Sequence, residues 1–319
     1  MSEAVIVTTY KRPEFLFCCL KRIRALAPEI DILLCPDRGT YFEPDVWAAM
    51  KCWGARMVYM PEHTCHGNTY NTMEAFRLAY TMGYERIYLV EDDVMIHPDF
   101  FLWHRAMQEE FSDIFASMAW IFNRHAPIEE QDLFQPWYYS VGTCFARKML
   151  AHVVEHARPE YYMDMAGYIE RTFPKSTLNA PFNIQHYEQD GLIQRVLDKL
   201  NLQTVSPGIA KCSHIGYFGY NQGWDREEFF FGNALTFTDR VKRVEEFIAD
   251  PYWRAARFGR PIVEREIGQA LPAREFRYKI KLADGWESEF TSELEKKHLP
   301  KTLNSVPLPK NAEVVLLSS

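Results

Sequence analysis

Short apolar runs alternate with amphipathic stretches through the first hundred residues. Residues 4–9 (A-V-I-V-T-T), 30–35 (I-D-I-L-L-C), 55–60 (A-R-M-V-Y-M) and 87–90 (I-Y-L-V) are each closed by turn-forming or charged residues, which predicts four buried strands. Between the first two, Phe15, Leu16, Cys19, Leu20, Ile23 and Leu26 recur at helical spacing. Pro13 stands where a helix accepts proline, in its first turn, and Pro28 ends the pattern. Residues 46–53 and 68–81 predict two further helices, stopped by Gly54 and Gly83, the second capped by Asn68 or Thr69. Strand–helix units of this length, repeated three times, predict an α/β fold with a mostly parallel, Rossmann-like sheet and right-handed crossovers.

The second hundred residues are less regular. A helix is expected over 100–111, a strand over 117–122, an irregular polar excursion over 123–136 and a long aromatic strand or strand pair over 137–146. A helix over 147–154 follows, then a less regular stretch to 184 with a possible helix at 163–169. Leu192, Ile193, Val196, Leu197 and Leu200 mark a clear amphipathic helix, with a strand at 202–205 behind it. From about 239 the character changes: ten lysines and arginines fall between Arg240 and Lys279, interspersed with acids. This predicts a main domain over 1–238 and a C-terminal extension or small subdomain over 239–319.

The strand at 87–90 stops on three adjacent carboxylates, Glu91, Asp92 and Asp93. Open α/β sheets bind ligands at the carboxyl ends of their strands. Three acids there repel one another unless a cation lies between them, and hard oxygen donors suit Mn²⁺ or Mg²⁺, ions that commonly bridge to phosphates. Asp37 stands in the same place after the second strand. Elsewhere His63, Cys65 and His66 gather imidazoles and a thiol, but no fourth ligand at conventional spacing makes a zinc site.

Composition narrows the picture in three ways. The formal charge of −7 argues against a chain that coats nucleic acid non-specifically. Seven cysteines without a C-x-x-C pair form neither a disulfide framework nor a structural zinc site. No stretch approaches the roughly 18 apolar residues of a membrane span, and no basic-then-apolar leader opens the chain, so a cytoplasmic protein is expected. Twenty-two Phe, 17 Tyr and 8 Trp leave open whether Trp137, Tyr138 and Tyr139 form a ring-stacking platform or simply core.

The order of these features resembles the A-type (GT-A) fold of nucleotide-sugar-dependent inverting glycosyltransferases. V-I-V-T-T-Y-K-R-P-E-F-L at 5–16 is similar to the opening strand and helix of the large inverting families. V-E-D-D-V-M-I-H-P-D-F-F at 90–101 is similar to the acidic triplet and Asp-Phe-Phe segment of N-acetylglucosaminyltransferase I and its relatives. The resemblance covers roughly residues 4–220. It implies that Asp93, the last acid of the triplet, binds Mn²⁺ or Mg²⁺, with Glu91 and Asp92 beside the ribose and the metal's water shell. It implies that Asp37 contacts the nucleotide base, that Thr8, Thr9, Tyr10 and Arg12 line the base and ribose pocket, and that Asn71, or another polar residue of the helix after His66-Gly67-Asn68, faces the nucleotide. It further implies a carboxylate general base just before a helix, at Asp190 with Glu188 as competitor, and a downstream metal-ligating histidine, His214 in C-S-H-I-G. Two departures stand out: no membrane anchor like that of Golgi relatives is expected from these residues, and Gln189 precedes Asp190 where a Glu-Asp pair is common.

The expected function is therefore metal-dependent, inverting transfer of a sugar from a nucleoside-diphosphate sugar, expected to be UDP-linked, to a hydroxyl on a glycan, lipid or protein. Three alternatives stand beside it. The basic stretch at 240–281 permits a phage-type DNA glycosyltransferase acting on a hydroxymethylated base. A nucleotidyltransferase shares the sheet and the metal, but T-T-Y-K-R-P lacks the glycines expected of its first loop. A non-catalytic binding protein on the same scaffold is the third. Gly216, Gly219 and Gly223 are expected to let residues 215–224 move as a lid anchored by Trp224.

Overall fold

The computed structural model describes residues 2–38, 40, 42–57, 67–120, 132–174, 187–216, 218–219, 223–224, 226–234 and 236–249, together with strands at 276–281, 287–292, 302–303, 306–307 and 313–318. His63, Cys65 and His66 lie outside the described residues.

The first seven elements follow the expected order: β1 (Glu3–Thr9), α1 (Pro13–Leu26), β2 (Asp31–Pro36), α2 (Pro44–Lys51), β3 (Ala55–Met57), α3 (Asn68–Thr81) and β4 (Arg86–Glu91). β1 lies between β2 and β4 and parallel to both, and β3 pairs parallel outside β2. Ala4 to Val7 and Ile87 to Val90 are shielded from solvent almost completely, as a strand covered on both faces must be. α1 opens on Pro13 and turns Phe15, Leu16, Cys19, Leu20 and Ile23 onto the sheet. Lys11, in the turn before it, adopts the left-handed region at φ 56°, uncommon for a residue with a side chain.

β5 (Val94–Ile96), α4 (Phe100–Glu110), β6 (Ser117–Met118), β7 (Leu133–Gln135), β8 (Thr143–Ala146), α5 (Arg147–Val154), α6 (Pro159–Met163), α7 (Met165–Thr172), α8 (Gln189–Leu200), β9 (Thr204–Ser206) and β10 (Cys212–His214) complete the main body. The large sheet has the order β3-β2-β1-β4-β8-β6-β9-β7, with β8 and β7 running against the rest. The fold is thus α/β and Rossmann-like, with a mostly parallel central sheet flanked by helices.

Two expectations are corrected. The aromatic stretch at 137–146 is a strand only over β8. Pro136 has no N–H to offer a ladder, and the next amides bond elsewhere: Tyr138 N–H donates to Gln194 Oε1 at 2.8 Å and Tyr139 N–H to the Met118 sulfur at 3.4 Å. The same segment buries Tyr138 and Tyr139 in the core, so they offer no open platform. Conversely, β7 falls within the stretch expected to be irregular, because the edge of β9 supplies a partner, pairing Gln135 with Thr204.

α9 (Arg226–Phe231) and α10 (Phe237–Ala249) follow the body, and α10 packs on α1. The boundary expected after 238 falls inside α10, whose Val241, Val244 and Phe247 are buried. Each such side chain contributes about 1.5–3 kcal/mol of burial. Beyond it, β11 (Phe276–Lys281) pairs antiparallel with β12 (Glu287–Ser292) and with β15 (Glu313–Ser318), while β13 (Thr302–Leu303) pairs with β14 (Val306–Pro307). No helix among the described residues is long and apolar enough to cross a membrane.

Candidate metal centre

β1, β2 and β4 are parallel, so their carboxyl ends share one edge of the sheet, and Thr8, Thr9, Asp37 and the acidic triplet are delivered there together. β4 ends on Glu91, and Asp92 and Asp93 form the turn between β4 and β5, where the Arg12 guanidinium reaches both of their carboxylates. Asp92 turns inward and is 1% exposed; its carboxylate accepts from Thr9 Oγ1 at 2.7 Å, from Tyr10 N–H at 3.2 Å and from Arg12 Nη2. Glu91 and Asp93 gather with His214, and one ligand atom from each lies within 4.8 Å of the others.

His214 arrives there through the short antiparallel pair of β5 and β10, which sets His214 opposite Val94. Ile215 N–H then donates to Asp93 O at 2.7 Å, and His214 Nε2 stands 3.5 Å from Asp93 Oδ2. Arg12 closes the cluster: Nη1 donates to Asp93 Oδ2 at 2.6 Å and to Phe218 O at 3.3 Å. Burial raises the affinity of Glu91 for its proton, and the charges of Asp93 and Asp190 add to the effect. Burial acts on Asp92 in the same direction, against the opposing pull of Arg12.

Two carboxylates and an imidazole within ligand reach of one another suit Mn²⁺ or Mg²⁺. The backbone beside them is shaped to the cluster: a Cβ at Gly216 would stand 2.0 Å from Asp93 Oδ2 and 3.1 Å from His214 Cε1. Gly216 is therefore a close-approach glycine against the acid. Gly216→Ala is expected to displace the Asp93 carboxylate and weaken Mn²⁺ binding by about tenfold or more, measured by calorimetric titration, with the fold intact by circular dichroism.

The other expected site residues are distributed as follows. Asp37 Oδ1 accepts from Gly67 N–H at 3.0 Å and Arg38 N–H at 2.7 Å, tying the end of β2 to the start of α3. Thr8 is buried beside Glu91 in register. Tyr10 packs edge-on against Trp224 with ring centroids 6.1 Å apart. Asn71 is 2% exposed and donates to Cys35 O at 2.8 Å, so it braces α3 against β2 from inside.

Asp190 lies in the first turn of α8, one residue inside the helix, while Glu188 holds the N-cap position without a side-chain cap. Asp190 Oδ2 accepts from Ser140 Oγ at 3.4 Å. Its Oδ1 is buried and has no hydrogen-bond partner among the described residues. Burial pushes its carboxyl up to about 7, with Ser140 pulling down and Glu188 adding to the rise. Gln189 is buried and accepts from Thr69 Oγ1 at 2.6 Å, which joins the amino ends of α8 and α3.

Sequence reasoning paired Asp93 with His214 but set Glu91 apart from them; the nearness of Glu91 to Asp93 within the triplet was the available signal. The resemblance placed Arg12 by the nucleotide, but its contacts with Asp92, Asp93 and Phe218 O, and that of Ser140 with Asp190, had no signal, since they cross long stretches of chain.

No model of a known protein family matches the chain, and no curated protein matches it. Solved structures do. Glucosyl-3-phosphoglycerate synthase from Mycobacterium tuberculosis, in complex with Mn²⁺, UDP and glucosyl-3-phosphoglycerate, is 14% identical over 46% of this chain and 57% of that one, with a TM-score of 0.35. GalNAc-T7 with UDP, GalNAc and Mn²⁺ is 9% identical over 80% of this chain and 51% of that one, at 0.47. The mannosyltransferase PcManGT from Pyrobaculum calidifontis, with GDP-Man and Mn²⁺, is 12% identical over 85% and 76%, at 0.45. The chain thus spans little more than half the length of the first two. At these values the likeness concerns chain path alone, and the chemistry rests on the geometry above.

Proposed function

We propose that this chain is a metal-dependent, inverting glycosyltransferase that takes a sugar from a nucleoside-diphosphate sugar, UDP-linked by preference, to an acceptor hydroxyl. The observation that carries the reading is the convergence of Glu91, Asp93 and His214 at the carboxyl edge of a parallel sheet, with Gly216 pressed beneath the acid. In this reading those three residues hold Mn²⁺ or Mg²⁺. The ion, when bound, offsets the charge that grows on the departing diphosphate.

The chain's own groups divide the remaining work. Asp92 fixes the turn after β1 through Thr9 and Tyr10 and shares the Arg12 guanidinium with Asp93, and so positions Asp93. Arg12 supplies a fixed positive charge beside the diphosphate position. Tyr10 and Asp37 border the nucleoside side of that edge. Asp190 is the general base: Oδ1 is the unengaged oxygen, and it takes the acceptor hydroxyl's proton as the hydroxyl attacks the anomeric carbon from the face opposite the leaving group. A carboxyl pushed up to about 7 is matched to proton abstraction near neutrality. One displacement with no covalent nucleophile inverts the anomeric centre.

Calorimetric titration with UDP, GDP and their sugar forms, with and without Mn²⁺, tests the proposal directly. One nucleotide is expected to bind only with the metal present. Folded protein that binds none of them overturns the donor site and the transferase reading together.

A further inference from the structure

Arg240 of α10 touches groups that lie behind the donor-side residues. Its Nε lies 3.0 Å from Glu14 Oε1, its Nη2 pairs with Glu227 of α9, and its Cζ sits 4.0 Å over the Phe231 ring. Glu14 is 2% exposed and stands in the first turn of α1, two residues past Arg12. That turn is closed by Leu16 N–H donating to Arg12 O at 3.1 Å, and Arg12 reaches Asp92, Asp93 and Phe218 O.

A second route leaves the same guanidinium through Phe231. The Phe231 ring meets Phe218 edge-on at 5.5 Å, and Phe218 also meets Phe15 at 5.4 Å and Phe230 at 5.8 Å. Phe218 belongs to the segment that carries His214 and Gly216 against Asp93. Both walls of the metal cluster, the α1 turn with Arg12 and the residues His214, Gly216 and Phe218, therefore rest on groups that Arg240 touches.

We propose that Arg240 is a positioning residue of the donor site, so that the C-terminal helix pair is a working part of the transferase domain. The proposal rests on the donor-site reading above. Truncation of Arg240 leaves Glu14 buried without its cation and removes the lid on Phe231. The α1 turn and the Phe218 segment then lose their common support, and Arg12, His214 and Gly216 lose register with Asp93. Lys21, which pairs with Glu245 at 2.7 Å across the exposed edge of the same α1–α10 contact, provides the control because it touches neither wall.

The experiment compares wild type, Arg240→Ala, Arg240→Lys and Lys21→Ala by two measurements. In hydrogen exchange, the amides of 212–219 and of the α1 first turn are expected to exchange faster in Arg240→Ala, to recover in part in Arg240→Lys, and to match wild type in Lys21→Ala. In calorimetry, UDP with Mn²⁺ is expected to bind about tenfold more weakly to Arg240→Ala than to wild type, with Lys21→Ala unchanged. Unchanged exchange at 212–219 in both Arg240 variants overturns the proposal, as does equal loss in Lys21→Ala. If wild type binds no nucleotide, the donor reading fails while the exchange data still decide whether Arg240 positions the cluster.

Discussion

Asp190→Asn is expected to lower turnover by about 10²–10⁴-fold, the contribution of a positioned general base, while Mn²⁺ and nucleotide binding stay near wild type. The two carboxylates of the α8 start separate in this test: Glu188→Gln is expected to keep most of the activity. The same substitution should leave the protein no less stable, and above neutrality more so. The sign follows from burial. Asp190 titrates at about 7 in the folded chain against an ordinary 3.8, so between these values the folded state holds a proton that the unfolded state has released. Stability therefore falls as pH rises through that window, and its full loss is reached above about 7. Asparagine carries no charge into the same site. Thermal melts of both proteins at pH 5 and pH 8 should show the variant gaining on wild type at the higher pH. The rate of wild type should rise about tenfold per unit to a plateau above about pH 7, as a base that must be ionised requires. Burial sets this window, with Ser140 and Glu188 adjusting it, and Glu91, Tyr138 and Tyr161 are the titratable groups that feel the charge of Asp190. A variant that turns over normally removes Asp190 from the chemistry.

Asp93→Asn is expected to abolish Mn²⁺-dependent nucleotide binding, a loss greater than the about 10–100-fold typical of groups that only orient metal ligands. Asp93 Oδ2 is the common contact of Arg12 and His214, and its backbone carbonyl holds Ile215, so the residue joins every part of the cluster. The amide side chain preserves shape and the backbone contact but removes the charge that a divalent ion and a guanidinium both require. Arg12 retains Asp92 and Phe218 O, so the fold should survive, with a lowered melting temperature. The informative comparison is with Asp92→Asn. Asp92 is engaged by Thr9, Tyr10 and Arg12 on the inner side, so its loss should cost more stability than Asp93→Asn and less metal affinity. Equal metal affinities in Asp93→Asn and wild type would exclude Asp93 as a ligand.

The chain's own pattern determined the parallel half of the sheet, because each apolar run was bounded by a proline, glycine or acid and each intervening helix carried one apolar stripe. It also determined where the acids fall, since a triplet after a buried strand in such a fold has one place to be, the ligand edge. The register of the antiparallel half was not legible. Residues 137–140 have the composition of a strand, yet the amides of Tyr138 and Tyr139 bond to Gln194 and Met118, groups that only a folded neighbour can present. Which acid faces which way, how His214 comes to stand beside Asp93, why residue 216 must lack a side chain, and how α10 braces α1 were decided by tertiary structure. The physical reason is the same in each case. Periodicity reports which face of an element is buried, but a site is a set of distances between elements, and those are set by strand pairing and packing between residues far apart in the chain.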